Sequence, residues 1–118
     1  MLPILKWQYE QLVKELLLLQ DHCADKSCLC ETGGEMCVRK HLLTIEAYAQ
    51  ETLSIEDDNS YREKLIMLAM EAKNYREREE KAICNQSETT PYQELLEWSR
   101  KWRKEFETYS LACENTTK

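Results

Sequence analysis

Two glycines and two prolines are the only backbone breakers in the 118 residues, and their placement constrains the fold more than any other feature. Pro3 and Pro91 stand where helices would begin, and Gly33 and Gly34 sit together in one loop. Proline fits the first turn of a helix, where its missing N–H has no partner to lose. Glycine is costly in a helix interior because it forfeits backbone entropy. Breakers confined to boundaries therefore imply long uninterrupted helices.

Hydrophobic periodicity gives the same answer and divides the chain into four helices. The first is expected over about 3–21, with Leu5, Tyr9, Leu12, Leu16 and Leu19 at alternating spacings of four and three, and Cys23 continuing the stripe. The second covers about 35–53, on Val38, Leu42, Ile45, Ala49 and Thr52 or Leu53. The third covers about 60–83, on Tyr61, Leu65, Leu68, Ala72 and Tyr75, and Ser60 to Glu63 fits a capping box. The fourth covers about 91–112, on Tyr92, Leu95, Ser99, Trp102, Phe106 and Tyr109, with Thr90 and Pro91 as its start signal. A cysteine-rich loop over 22–34, polar loops over 54–59 and 84–90, and a polar tail over 114–118 complete the pattern. Short connections favour antiparallel neighbours, so the expected fold is all-α, an up-down-up-down four-helix bundle in one domain. Strand alternation is not evident.

The chain is acidic, with a formal net charge of −6. That charge opposes attachment to nucleic acid or to anionic membrane, and no apolar run is long enough to span a bilayer. Arg100, Lys101, Arg103 and Lys104 lie near Trp98 and Trp102, but the helical wheel turns the bases away from the tryptophans, as on a solvated face. Charges at Lys6, Glu10, Lys14 and Glu15 interrupt the N-terminal stretch, so it does not read as a secretory signal and a cytoplasmic location is expected. Two glycosylation sequons, Asn85-Gln86-Ser87 and Asn115-Thr116-Thr117, would suit a secreted protein whose signal had been removed. The pattern is also short enough to arise by chance.

Cysteine is the most informative residue for function. Cys23, Cys28, Cys30 and Cys37 fall within fifteen residues of one another, the number of thiolates a tetrahedral zinc ion takes. Gly33 and Gly34 would let the loop turn back so that Cys37 joins from the first turn of the second helix. The helix N-terminus there favours a thiolate. His41, one turn after Cys37, is a substitute ligand, as are His22 and Cys84. Cys28-x-Cys30 is tighter than the usual zinc knuckle. Disulfides, an iron–sulfur cluster and free thiols therefore remain as alternatives. In an up-down bundle Cys84 would join the cluster at one pole, whereas Cys113 would lie a helix length away, roughly 30 Å, too far for a bond to Cys84.

A further signal points to association. Ile66, Met67 and Met70 lie opposite the core stripe of the third helix, and Ile4, Trp7 and Leu18 give the first helix a weaker second apolar face. Such a surplus fits either a central helix or an interface. No Glu-x-x-His pair, His-Glu-x-x-His, phosphate loop or dinucleotide glycine pattern occurs, so no catalytic constellation stands out. The expectation is a small interaction or self-association protein, a homodimer or the partner of another protein, with a structural zinc site in its cysteine loop. A thiol-redox or iron–sulfur sensor is the alternative from a different class. A secreted, disulfide-linked bundle, cytokine-like in architecture alone, is the third.

Overall fold

A computed structural model of the chain describes residues 3–25, 34–85 and 92–116. Four helices account for nearly all of them: α1 (Pro3–Asp25), α2 (Gly34–Leu53), α3 (Asn59–Asn85) and α4 (Tyr92–Thr116). The helices pack against one another, α1 on both α4 and α2, and α2 on α3. Side chains link α3 to α4, through Lys64 to Glu105 and through Trp98 to Glu71. The fold is all-α.

The stripes read from the sequence make the core. Leu5, Tyr9, Leu12, Leu16, Leu19 and Cys23 are buried on α1, and Val38, Leu42, Ile45, Ala49 and Thr52 on α2. Leu65, Leu68 and Ala72 are buried on α3, and Leu95, Ser99, Trp102 and Phe106 on α4. Tyr61, Tyr75 and Tyr109 pack half-buried at the edges of the same cluster. Each fully buried leucine or phenylalanine contributes roughly 1.5–3 kcal/mol relative to exposure, so these stripes are the main source of stability.

Several boundaries differ from the sequence reading, each for a local reason. Helix α1 runs on to Asp25, because nothing between Asp21 and Asp25 breaks a helix and Cys23 extends the buried stripe by one more turn. Cys23 is thus a helical core residue and not part of a loop. The cap of α3 is Asp58 in place of Ser60: its Oδ1 accepts the backbone N–H of Ser60 at 2.9 Å and of Tyr61 at 3.3 Å. Asp is as good a cap as Ser, and a cap two residues earlier lets Asn59 enter the helix. Helix α4 continues to Thr116, so the polar tail is mostly helical and the sequon beginning at Asn115 starts within a helix. Asn85, at the head of the other sequon, is the last residue of α3. Thr90 and Pro91, the expected start of α4, lie outside the described residues.

The α2–α3 connection is closely tied. Arg62 donates from Nη1 to the carbonyls of Leu53, at 2.9 Å, and Glu56, at 2.7 Å. These bonds satisfy one acceptor that the end of α2 leaves without a helical partner and one in the connection itself.

Candidate functional site

Three features outside the apolar core carry chemistry: a histidine and cysteine cluster at one end, an acid and tyrosine cluster at the other, and apolar side chains on the outer faces.

The first lies where α1 ends and α2 begins. Cys23 is 3% exposed and His22 is 6% exposed, both on the last turns of α1. Across from them on α2, His41 Nδ1 donates to Glu15 Oε1 at 2.7 Å. An ionised carboxylate only accepts, so the proton in this bond sits on Nδ1. The imidazoles of His22 and His41 have ring centres 6.1 Å apart, inclined at 55°. Arg39 meets Glu80 at 3.8 Å, and Glu79, buried on α3, acts electrostatically on Cys23. The end of α3 therefore joins the same pole. Burial pushes the Cys23 thiol up to about 11, and the charge of Glu79 adds to the shift. Cys23 is free of any disulfide and is held as a neutral thiol by its apolar surroundings.

Of the other cysteines, Cys37 stands in the first turn of α2 and Cys84 in the last turn of α3 by their backbone positions. The side chains of Cys37, Cys84 and Cys113 and the whole of Cys28 and Cys30 lie outside the described residues. Among the described residues no group of three or more His, Cys, Asp and Glu side chains is placed to hold a metal ion. Of the expected ligands and substitutes whose side chains are described, the structure brings His22 and His41 near each other, while Cys23 lies near Glu79.

At the opposite end, Glu56 is 3% exposed and well provided with donors. Tyr9 donates its hydroxyl to Glu56 Oε2 at 2.5 Å, Tyr109 donates to the same oxygen at 3.3 Å, and the backbone N–H of Asp58 donates to Oε1 at 3.0 Å. Tyr61 stacks on Tyr109 with ring centres 3.5 Å apart. Burial and the neighbouring Glu56 carboxylate raise the Tyr9 phenol well above its ordinary range. This arrangement joins the α2–α3 connection to α1 and α4. Its groups are satisfied by one another, as in a structural lock.

On the outer faces, Ile66, Met67 and Met70 are 44%, 50% and 60% exposed on α3, and Ile4, Trp7 and Leu18 are exposed on α1. Between α1 and α4 lies an open, mainly apolar recess of about 280 Å³ bordered by Lys6, Val13, Leu17 and Leu111. A second recess of about 290 Å³ between α3 and α4 is bordered by Asn74, Tyr75, Arg78, Trp98 and Lys101. At its side Glu71 Oε1 accepts the indole N–H groups of Trp98 at 2.8 Å and Trp102 at 3.0 Å. Both tryptophans are thus core residues, while Arg100, Lys101 and Lys104 face solvent.

Sequence reasoning missed Glu15, Glu56, Glu71 and Glu79. A glutamate on a helix ordinarily reads as solvating charge, and only the partner across the bundle distinguishes these four. For Glu15 a signal existed: it lies one residue from the buried Leu16, at the margin of the core stripe.

Comparison with protein-family models, with curated proteins and with solved structures finds no match to this chain. The described helices include none long and apolar enough to cross a membrane.

Proposed function

We propose that this chain is a small helical self-association protein: an up-down-up-down bundle that forms a homodimer through the outer face of α3 and whose cysteine-bearing pole holds a structural zinc ion. The observation that carries the reading is the exposure of Ile66, Met67 and Met70 on the face of α3 that lies opposite its buried stripe. A soluble chain seldom leaves such residues gathered and open. Methionine adapts its shape to a partner surface, and a two-fold contact of a helix with its own copy is the commonest way to cover a patch of this kind. Covering three such side chains contributes several kcal/mol before the cost of association, at roughly 1.5–3 kcal/mol each.

The cross-helix pairs support the up-down-up-down order. Tyr9 meets Tyr109, Glu15 meets His41, Glu46 meets Arg76 and Lys64 meets Glu105. Glu15 and His41 lie toward the joined ends of α1 and α2, and Tyr9 and Tyr109 toward the opposite ends of their helices, as antiparallel neighbours require. Cys28, Cys30 and Cys37 remain the proposed thiolate ligands of the zinc. Cys23, buried and neutral, is the weakest member of the expected set. Its free thiol favours a reducing compartment and hence the cytoplasm.

Light scattering tests the association. The wild type is expected at twice the monomer mass, and the Met67→Glu, Met70→Glu double variant at the monomer mass with unchanged helical circular dichroism. A wild type that stays monomeric at high concentration contradicts the reading. Elemental analysis of the purified protein tests the zinc: about one ion per chain is expected, and protein carrying only trace metal contradicts it.

A further inference from the structure

The outer face of α3 carries, besides its apolar side chains, a charge pattern that fits a second copy of itself in one orientation. Glu63, Ile66, Met70 and Lys73 follow one another at spacings of three, four and three, so they form a single stripe on the side of α3 opposite the buried Leu65, Leu68 and Ala72. All four are exposed, and Met67 is exposed beside them. The stripe runs acid, apolar, apolar, base over about 15 Å of helix. The neighbouring cations of α3 pair within the chain: Lys64 with Glu105, Arg76 with Glu46 and Glu80, and Arg78 with Glu94. Among the described residues Glu63 and Lys73 meet no ion-pair partner.

Two orientations lay this stripe on its own copy. A two-fold axis parallel to α3 sets each residue against itself. Ile66 and Met70 are then covered only with Glu63 against Glu63 and Lys73 against Lys73, and like charges at one level repel. A two-fold axis perpendicular to α3 at the level of Leu68 reverses the order of the second copy. Ile66 then lies against Met70 of the second copy, Met70 against Ile66, and Glu63 against Lys73 at both ends. Moved by two residues either way, the axis sets Glu63 against Glu77, or Met70 against Arg62. The register at Leu68 thus gives an apolar centre closed by an ion pair on each side, the layout of a hydrophobic core with a polar rim.

We infer that the chain dimerises antiparallel, α3 against α3, across a two-fold axis level with Leu68, with Glu63 of each copy paired to Lys73 of the other. The inference rests on the self-association reading above and adds a register to it, together with a reason why this surface selects its own copy. The apolar side chains supply the attraction, and the charges set the orientation.

The test is charge exchange in the full chain, read by sedimentation velocity over a dilution series at low salt, with circular dichroism to confirm that each variant is folded. Glu63→Lys and Lys73→Glu are each expected to weaken dimerisation about ten- to thirty-fold, because two attractive pairs become two repulsive ones. The double variant Glu63→Lys, Lys73→Glu is expected to return to within about three-fold of wild type. An equimolar mixture of the two single variants is expected to show a larger dimer fraction than either alone. At about 1 M salt, where the screening length falls to about 3 Å, these differences should shrink. A larger dimer fraction when Glu63→Lys is mixed with wild type would overturn the register in favour of a parallel contact. A dimer that neither single variant weakens, or a double variant as weak as the singles, would overturn it while leaving self-association intact. A monomeric wild type would overturn both.

Discussion

Near its start α1 sends Tyr9 into the Glu56 carboxylate, and thirteen residues later, about 20 Å along the helix axis, it carries His22 and Cys23. Both ends bury polar side chains beside an apolar core, yet the two are built differently. At the Glu56 end the carboxylate is matched by donors: two phenols and a backbone N–H donate to it, and Arg62 closes the carbonyls behind it. At the histidine end a single carboxylate meets one imidazole, and the second imidazole lies with its ring centre 6.1 Å away. Buried polar groups that satisfy one another rigidify a fold. The first end therefore stabilises the bundle, and the second is the end where a structural zinc ion is proposed.

The strongest way to break that contrast is to remove the carboxylate of the locked end. Glu56→Leu is expected to cost about 3 kcal/mol, since it strands the Tyr9 hydroxyl and the Asp58 N–H in a buried place. Urea denaturation followed by circular dichroism checks it, and a cost below about 1 kcal/mol would mean that water replaces the carboxylate there. Tyr9→Phe should cost less, about 1 kcal/mol, because one hydrogen bond is lost while the packing remains.

The Tyr9 phenol adds a pH dependence. Its pKa is raised on folding, so the stability linked to it is complete below the unfolded value near 10.0 and falls as pH rises beyond that. In an ultraviolet titration Tyr9 is expected to ionise only as the chain unfolds.

Cys23 sharpens the contrast from the other end. Its thiol, raised to about 11 from an ordinary 9.0, stays protonated through neutral pH. The linked stability is present below about pH 9 and is lost as pH rises through 11. Iodoacetamide at pH 8 is expected to leave Cys23 intact in the native protein and to modify it after denaturation, as peptide mapping would report. Modification of native Cys23 at the denatured rate would show that this pole opens readily. The smallest effect is expected at Arg78, whose exposed pair with Glu94 at 3.3 Å joins neither end. Arg78→Ala should change stability by less than about 0.5 kcal/mol.

How much of this was legible in the sequence follows from what periodicity encodes. The stripes of Leu5 to Leu19, Val38 to Ala49 and Leu95 to Phe106 were readable because each is a property of one helix, and all are buried as the spacing implied. The outward Ile66, Met67 and Met70 were readable by the same wheel. Glu56 was not, because its role depends on Tyr9 and Tyr109, 47 and 53 residues away. Cys23 was legible as a stripe position and as a cysteine, and the two readings conflicted. The unbroken helix through Asp25 favours the first. The pairing of His41 with Glu15 joins two helices, and the place of Glu15 at the margin of the α1 stripe does not say which partner it meets.

Hydrogen exchange with and without zinc compares the two ends most directly in one experiment. The proposed zinc is expected to raise amide protection over residues 15–23 and 38–45, where α1 and α2 flank the histidine pair, and to leave residues 52–62 around Glu56 as protected as before. Equal gains at both ends, or no change at the histidine end in protein shown to have bound zinc, would contradict the division of the bundle into a self-satisfied pole and a ligand-completed one.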